Sequence, residues 1–292
     1  MTATREGAWL RAMPVVFVLI WATGFVVARL GMPHAPPMGF LAWRYALSII
    51  AIGAWIALSS GVSWPRGRAQ WLHLSVLGTL QHAGYLGGVW AAVKIGMPAG
   101  LAALIVCLQP VLTAVWLSWR GSAHRVAPRQ WIGLWLGLGG LTLVLWRRMQ
   151  GGDVGAASLA LAVGALLSIT VGTLYQKRFV APVDVRAANL VQLAAALAVT
   201  LPLALLEHEA MHWNAHLWTA MAWSVLALTL GGSSLLYLLI QRGAATEVTS
   251  LLYLVPPCTA LMAWLGFGEV VTPSMVLGMA LCATAVFLVR RG

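Results

Sequence analysis

Apolar stretches of about 20 residues follow one another along the whole chain, and each is long enough to cross the hydrocarbon core of a membrane. Hydrophobic residues fill 61% of the 292 positions and charged residues only 9%, so a soluble fold could not bury this much apolar surface. A helix satisfies its own backbone hydrogen bonds inside lipid. We therefore predict an all-α integral membrane protein with ten transmembrane helices, at about 13–31, 38–58, 70–91, 99–119, 129–146, 155–176, 185–206, 216–240, 247–266 and 272–289.

The chain also repeats itself at a constant offset of 147 residues, and the register holds without a gap from residue 19 to residue 121. It keeps helix-shaping residues in step, pairing Gly84 with Gly231 and Pro110 with Pro257. Each half, 1–147 and 148–292, holds five predicted spans. Because five is odd, the second half enters the bilayer from the opposite side, and the repeats are inverted in space. This architecture is typical of secondary transporters.

The distribution of basic residues predicts the orientation of the chain. Most of the 18 Lys and Arg residues fall on one side when the N-terminus is placed in the cytoplasm, with Arg147 and Arg148 as the clear exception. The positive-inside rule then places both termini in the cytoplasm. The same rule explains the net charge of +11, and since there is no dense basic tract, we expect no nucleic-acid partner.

Polar side chains deep in a span are costly to bury in lipid, so each is a candidate for lining a hydrated cavity. Arg44, in the second span, could attract a carboxylate, snorkel to the headgroups or bond neighbouring carbonyls. His82 shares a helix face with Tyr85 and is either a proton-exchanging group or a neutral histidine bonded to an adjacent helix. Gly84, Gly87 and Gly88 would let another backbone approach closely or let the helix bend. The side chains we expect to bind substrate are Trp21, Arg44, His82, Tyr85, Gln109, Ser168, Tyr175, Gln192, Tyr237 and Tyr253.

Prolines stand in the middle of the fourth and ninth predicted spans, at matching positions of the repeat. Pro110 corresponds to Pro257, which follows Pro256. A proline removes a backbone donor and kinks a helix. Bent helices at symmetric positions indicate a transport site, so we interpret Pro110, Pro256 and Pro257 as hinges. The alternative is that each proline merely bends a packing helix.

One short motif is typical of zinc proteases. His208, Glu209 and His212 match H-E-x-x-H, in which two histidines bind zinc and the glutamate activates water. Here the motif lies in a short predicted connection between the seventh and eighth spans, without a catalytic domain around it. We expect no catalysis, no metal centre and no cofactor, and adventitious metal binding is the alternative. The three cysteines also lack metal spacing.

Buried acidic residues are absent from the predicted spans. All seven Asp and Glu residues lie in loops or near span ends. A carrier for cationic drugs usually needs a buried carboxylate, so neutral or zwitterionic substrates are favoured. The chain also has no G-x-x-x-x-G-K-[ST] phosphate loop, which excludes direct use of ATP.

Several short motifs, taken in order, resemble the EamA type of the drug/metabolite transporter superfamily. They are Trp21-Ala22-Thr23-Gly24-Phe25, Arg44, Pro110, Arg242-Gly243-Ala244, Leu254-Val255-Pro256-Pro257, Gly268-Glu269 and Gly278. The resemblance covers nearly the whole chain. One departure is Ser122, which stands where the family usually has an acidic residue equivalent to Glu269.

The resemblance implies a multi-pass exporter of small metabolites in the bacterial inner membrane. Amino acids, including aromatic ones, are the implied substrates, moved by alternating access. The alternatives are a carrier of drugs, nucleobases or sugars, and a membrane assembly protein with no cargo. Convergence of His82, Tyr85, Gln192 and Tyr253 on one space would favour a carrier. We expect a small-molecule substrate and the lipid bilayer as partners, in a monomer or a homodimer.

Overall fold

The computed structural model describes an all-helical chain over residues 2–109, 154–241 and 254–290, together with residues 112, 113, 116, 131, 132, 135, 136 and 139; side chains are described from residue 13, apart from 14 and a few others in the last helices. Within these ranges the α-helices are α1 (Thr2–Gly31), α2 (Pro37–Ala57), α3 (Gly67–Gly78), α4 (Tyr85–Lys94), α5 (Ala99–Val106), α6 (Ala156–Phe179), α7 (Val185–Leu206), α8 (Ala215–Trp223), α9 (Ser234–Gln241), α10 (Val255–Phe267) and α11 (Pro273–Arg290). A short 3₁₀ helix, Met32–His34, follows α1.

Among the described residues, five helical stretches are long and apolar enough to cross a membrane, and all five coincide with predicted spans. They are Val15–His34, Pro37–Ala57, Ala156–Phe179, Val185–Leu206 and Ala215–Tyr237. The helix ends follow local rules. Proline occupies the first turn of α2 and of α10, where its missing N–H is not needed. Before α8, the Asn214 side chain caps the helix by accepting a hydrogen bond of 2.9 Å from the Leu217 amide.

In the part of the chain that the structure describes, two of the predicted spans contain π-helical turns, which hydropathy did not predict. The first π segment, Thr79–Gly84, joins α3 to α4, and the second π segment, Ser224–Ser233, joins α8 to α9. Shifting the first by the repeat offset of 147 places it inside the second. The wider turn is visible in hydroxyl bonds five residues back, from Thr229 to the Ser224 carbonyl at 2.9 Å and from Ser233 to the Leu228 carbonyl at 3.3 Å. π turns are frequent at functional sites.

Helices from the two halves of the sequence interleave in one core. α2 and α3 pack along α7, α4 packs along α6, and α1 packs against α10 and the second π segment. Large side chains such as Phe17, Phe40, Tyr45 and Trp90 are fully buried there, and the Phe40 and Trp90 rings stack with centroids 4.5 Å apart. Any cavity at the centre is therefore lined by both halves.

Gly84, at the end of the first π segment, and Gly88, in α4, lie in close contact with α6. A Cβ atom at Gly84 would lie 2.2 Å from the Ser168 hydroxyl oxygen, and one at Gly88 would lie 2.8 Å from the Leu161 carbonyl oxygen. The predicted close approach of another backbone is therefore seen at Gly88. At Gly84 and Gly87 the nearest atoms on other helices belong to the side chains of Ser168 and Met38.

Asp184 caps α7 and pairs with Arg186, and this arrangement gives a pH-dependent prediction. Its carboxylate accepts from the Arg186 amide at 2.9 Å and from the guanidinium at 2.7 and 3.0 Å. The hydrogen bond from the Arg186 side chain lowers the pKa of Asp184 from its ordinary value of 3.8. The ionised Asp184 carboxylate therefore stabilises the folded protein fully at pH values above 3.8, the ordinary pKa of the group. This stabilisation is lost as the pH falls through the lower pKa that Asp184 has in the folded protein.

Replacing Asp184 by alanine is expected to destabilise the protein by about 1 kcal/mol at neutral pH, because the helix loses its cap. Asp184→Asn keeps a capping oxygen and should cost less. The measurement is the unfolding temperature of the purified protein in detergent at several pH values. If the gap between wild type and Asp184→Ala did not shrink at acid pH, the carboxylate would not be its source.

Candidate functional site

A cavity at the centre of the bundle brings together six of the ten side chains expected to bind substrate. Its volume is about 50 Å³, which is smaller than a typical small-molecule site. Side chains from α1, α2, the first π segment, α4, α6, α7, the second π segment and α9 contribute to its wall. The six are Trp21, Arg44, His82, Tyr85, Gln192 and Tyr237.

The structure does not bring Gln109, Ser168 and Tyr175 to the lining of this cavity. Gln109 donates a hydrogen bond of 2.8 Å to the Thr173 hydroxyl. The Ser168 hydroxyl donates to the Leu80 carbonyl at 2.8 Å, and the Tyr175 hydroxyl lies 2.7 Å from Nδ1 of His73. Each of the three polar groups thus has a partner on another helix. Tyr253 lies outside the described residues.

Three amide side chains that were not among the expected substrate ligands also line the cavity. Gln81 donates to Gln176 at 3.3 Å, and Asn189 donates to the Ser234 hydroxyl at 3.0 Å. Asn189 lies one turn into its predicted span, 185–206, and the cost of burying its amide marks it there together with Gln192. Gln176 is next to Lys177 at the end of a predicted span, so its position suggested a membrane boundary rather than a site.

Arg44 is buried in the wall of the cavity, with only 3% of its surface exposed, so it does not snorkel to the headgroups. Its Nε donates to the Thr229 hydroxyl at 3.1 Å, and its Cζ lies 5.9 Å from the centre of the Trp90 ring. Its Nη1 is buried and has no hydrogen-bond partner among the described residues. Nor does any carboxylate of the described ranges form an ion pair with Arg44. A buried charge without a counter-ion is costly, so it favours binding of an anionic group.

Aromatic side chains form the other face of the cavity. The Trp21 and Tyr85 rings are nearly parallel, with an interplanar angle of 5° and centroids 6.3 Å apart. The Tyr45 hydroxyl donates to the backbone carbonyl of His82 at 2.8 Å, which ties α2 to the first π segment. Gln192 is buried, and its Nε2 has no partner in the part of the chain that is described. The cavity therefore offers flat apolar surface beside unused hydrogen-bond donors.

The predicted hinges can be placed only in part. Pro256 and Pro257 stand in the first turn of α10, with Pro256 buried and Pro257 exposed. Residues 242–253, before this helix, and Pro110 lie outside the described residues. The hinge role of all three prolines stays a prediction.

At one end of the bundle, ion pairs join helix ends of the first half to loops of the second half. Arg29 lies 3.5 Å from Glu269, and Lys94 pairs with Glu209. Glu207 accepts from the amides that begin α2, at 2.8 and 3.0 Å. We call this the ion-pair end. Glu209, the glutamate of the H-E-x-x-H motif, pairs with Lys94 in this structure. Among the described side chains, no group of three or more His, Cys, Asp or Glu residues could hold a metal ion.

An all-helical bundle of span-length apolar helices, with buried polar side chains facing a central cavity, is typical of one class of proteins, the membrane carriers. The model of the EamA-like transporter family matches the chain twice, at residues 11–146 and 156–291, so the chain belongs to this family. It is a multi-pass membrane protein and a transporter of the drug/metabolite type.

Similar proteins carry the same general description. The chain is 25% identical to "Uncharacterized transporter YvbV" of Bacillus subtilis over 94% of this chain and 88% of that protein. It is 24% identical to "Probable amino-acid metabolite efflux pump" of Salmonella typhimurium, over 57% of this chain and 52% of the pump. A solved crystal structure superposes with a TM-score of 0.68 at 19% identity, covering 94% of each chain, which shows a shared fold.

Proposed function

We propose that this protein exports amino acids across a bacterial inner membrane by alternating access through the central cavity. In this proposal ten spans form two inverted five-helix repeats, 1–147 and 148–292, with both termini in the cytoplasm. The two separate family matches support a two-repeat organisation. The contacts of the ion-pair end would have to separate when the cavity opens on that side.

The observation that carries the proposed substrate is Arg44. It is a buried guanidinium with a free Nη1 in a cavity whose described wall contains no carboxylate. Such a group stabilises a bound carboxylate through charge-assisted hydrogen bonds. The amides of Gln81 and Asn189 can accept from an ammonium group, and the Trp21 and Tyr85 rings suit an apolar side chain. A zwitterion uses all three properties.

Three alternatives are weaker on these observations. A multidrug carrier for cations would be repelled by Arg44 and would find no carboxylate in the described cavity wall. A carrier of nucleobases or sugars would leave the guanidinium charge unpaired. A membrane assembly protein would not require His82, Tyr85 and Gln192 to line a common cavity, and here all three line the central cavity. The name of the Salmonella relative also supports amino-acid metabolites.

Transport by the purified protein in liposomes tests this proposal. We expect saturable flux of at least one radiolabelled amino acid, well above that of empty liposomes. Flux without an imposed gradient would indicate a facilitative carrier, whereas flux only under a pH gradient would indicate proton coupling. Saturable flux of nucleobases or sugars in place of every amino acid would contradict the proposed substrate.

His82 is the titratable group of the cavity that could couple protons to transport. If flux depends on a pH gradient, His82→Ala is expected to remove that dependence while downhill flux remains. An unchanged dependence would exclude His82 as the proton carrier. The measurement is flux with and without the gradient in matched liposomes.

A further inference from the structure

We propose that Thr229 is a positioning residue, which fixes the direction of the Arg44 guanidinium in the cavity. This inference rests on the proposed role of Arg44 as the anchor of a substrate carboxylate. Thr229 is not part of the cavity wall described above, and it is separated from Arg44 by 185 positions in the chain. It acts on the substrate only through Arg44.

The hydrogen bonds of the Thr229 hydroxyl have fixed directions. It lies 3.1 Å from Nε of Arg44 and 2.9 Å from the carbonyl oxygen of Ser224. An arginine can only donate and a carbonyl can only accept. The hydroxyl must therefore donate to Ser224 and accept from Arg44. Because Thr229 is only 1% exposed, water does not compete for either bond.

The second π segment determines where this hydroxyl is held. In a regular α-helix a threonine hydroxyl bonds the carbonyl four residues earlier, as Thr200 does with Ala196 at 2.9 Å. Thr229 instead reaches Ser224, five residues earlier. The π turn thus determines where the Thr229 hydroxyl oxygen lies when it accepts the hydrogen bond from Nε of Arg44.

Two contacts hold the guanidinium, and neither of them uses Nη1. Thr229 holds Nε, and the Trp90 ring, itself stacked on Phe40, lies beside Cζ. Nη1 keeps no partner among the side chains that are described. A planar guanidinium held in this way can meet a carboxylate with two parallel hydrogen bonds, which need a defined orientation. Without the Thr229 hydroxyl, Arg44 would keep its positive charge, but its guanidinium plane would no longer be held in one orientation.

The experiment compares Thr229→Val, which keeps the shape and removes the hydroxyl, with Thr229→Ser, which keeps the hydroxyl. The KM for the transported amino acid in liposomes is expected to rise about tenfold in Thr229→Val, with the maximal rate little changed, because a hydrogen bond to a charged group is lost. Thr229→Ser should stay near wild type. The matched control is Thr200→Val, the same change in a buried threonine bonded to its own helix, and it should leave the KM unchanged.

A double mutant shows whether Thr229 acts through Arg44. In an Arg44→Gln background, adding Thr229→Val should not raise the KM further. If Thr229→Val were not monodisperse in detergent, Thr229→Ala would replace it in the same comparison. If Thr229→Val kept the wild-type KM while Arg44→Gln raised it, the proposed role of Thr229 would be wrong and that of Arg44 would stand. Absence of saturable amino-acid flux in the wild type would overturn the proposed function, and the role of Thr229 with it.

Discussion

Replacing Arg44 by glutamine is expected to raise the KM for a transported amino acid between about tenfold and about a hundredfold, because a hydrogen bond to a charged partner contributes about 1.5–3 kcal/mol. Arg44→Lys keeps the charge but loses the planar fork and the Nε donor, so it should recover only part of the affinity. Flux in liposomes measures both. The control is the carboxamide analogue of the same amino acid, whose binding should not depend on Arg44.

The stability of the Arg44→Gln variant separates a binding role from a structural one. The wild-type guanidinium is 3% exposed and has no carboxylate partner in the described ranges, so its burial costs free energy in the empty protein. Arg44→Gln should therefore unfold at the same temperature as wild type or a higher one. A large fall in the unfolding temperature, with an unchanged KM, would show that Arg44 supports the fold and does not bind substrate.

Gly78→Ala is expected to destabilise the protein by at least about 1–3 kcal/mol, because the added methyl group has no room between α3 and α7. A Cβ atom at this position would lie 2.2 Å from the carbonyl oxygen and 2.5 Å from the Cα of Gln192. Both are backbone atoms of α7 and cannot rotate away. The helices would have to separate, and Gln192 would be displaced from the cavity. Transport should fall together with the unfolding temperature.

Gly53→Ala is the matched control for this substitution. Gly53 is also in a helix, α2, and a Cβ atom there would meet nothing within 4 Å. It is expected to be neutral or to stabilise the protein by up to about 1 kcal/mol, because alanine favours helix. Unfolding temperatures of both variants in detergent give the comparison. Equal temperatures for Gly78→Ala and wild type would mean that the two helices are less tightly held than the structure indicates.

The candidate site could be predicted in part, and the failures share a physical cause. Arg44, His82 and Gln192 were identified because deep polarity is costly in lipid. Gln109 and Ser168 satisfied the same criterion, but their side chains bond to other helices, as does the Tyr175 hydroxyl near the end of its span. Bundle helices are apolar on nearly all sides, so hydrophobic periodicity does not mark the face that points to a cavity. A single sequence therefore shows that a residue is buried and polar, but not which residue it meets.

The sequence by itself determined the class, the helical architecture and the family of this protein. Those properties depend on composition, on the length of apolar runs and on short motifs. In lipid, a stable segment must satisfy its own backbone hydrogen bonds, and an apolar helix does so without help from the rest of the chain. The tertiary structure alone decided the two π segments, the approach of Gly78 to Gln192 and the bond from Arg44 to Thr229. These depend on the distances between helices that are far apart in the chain, and such distances are fixed only when all the helices pack together.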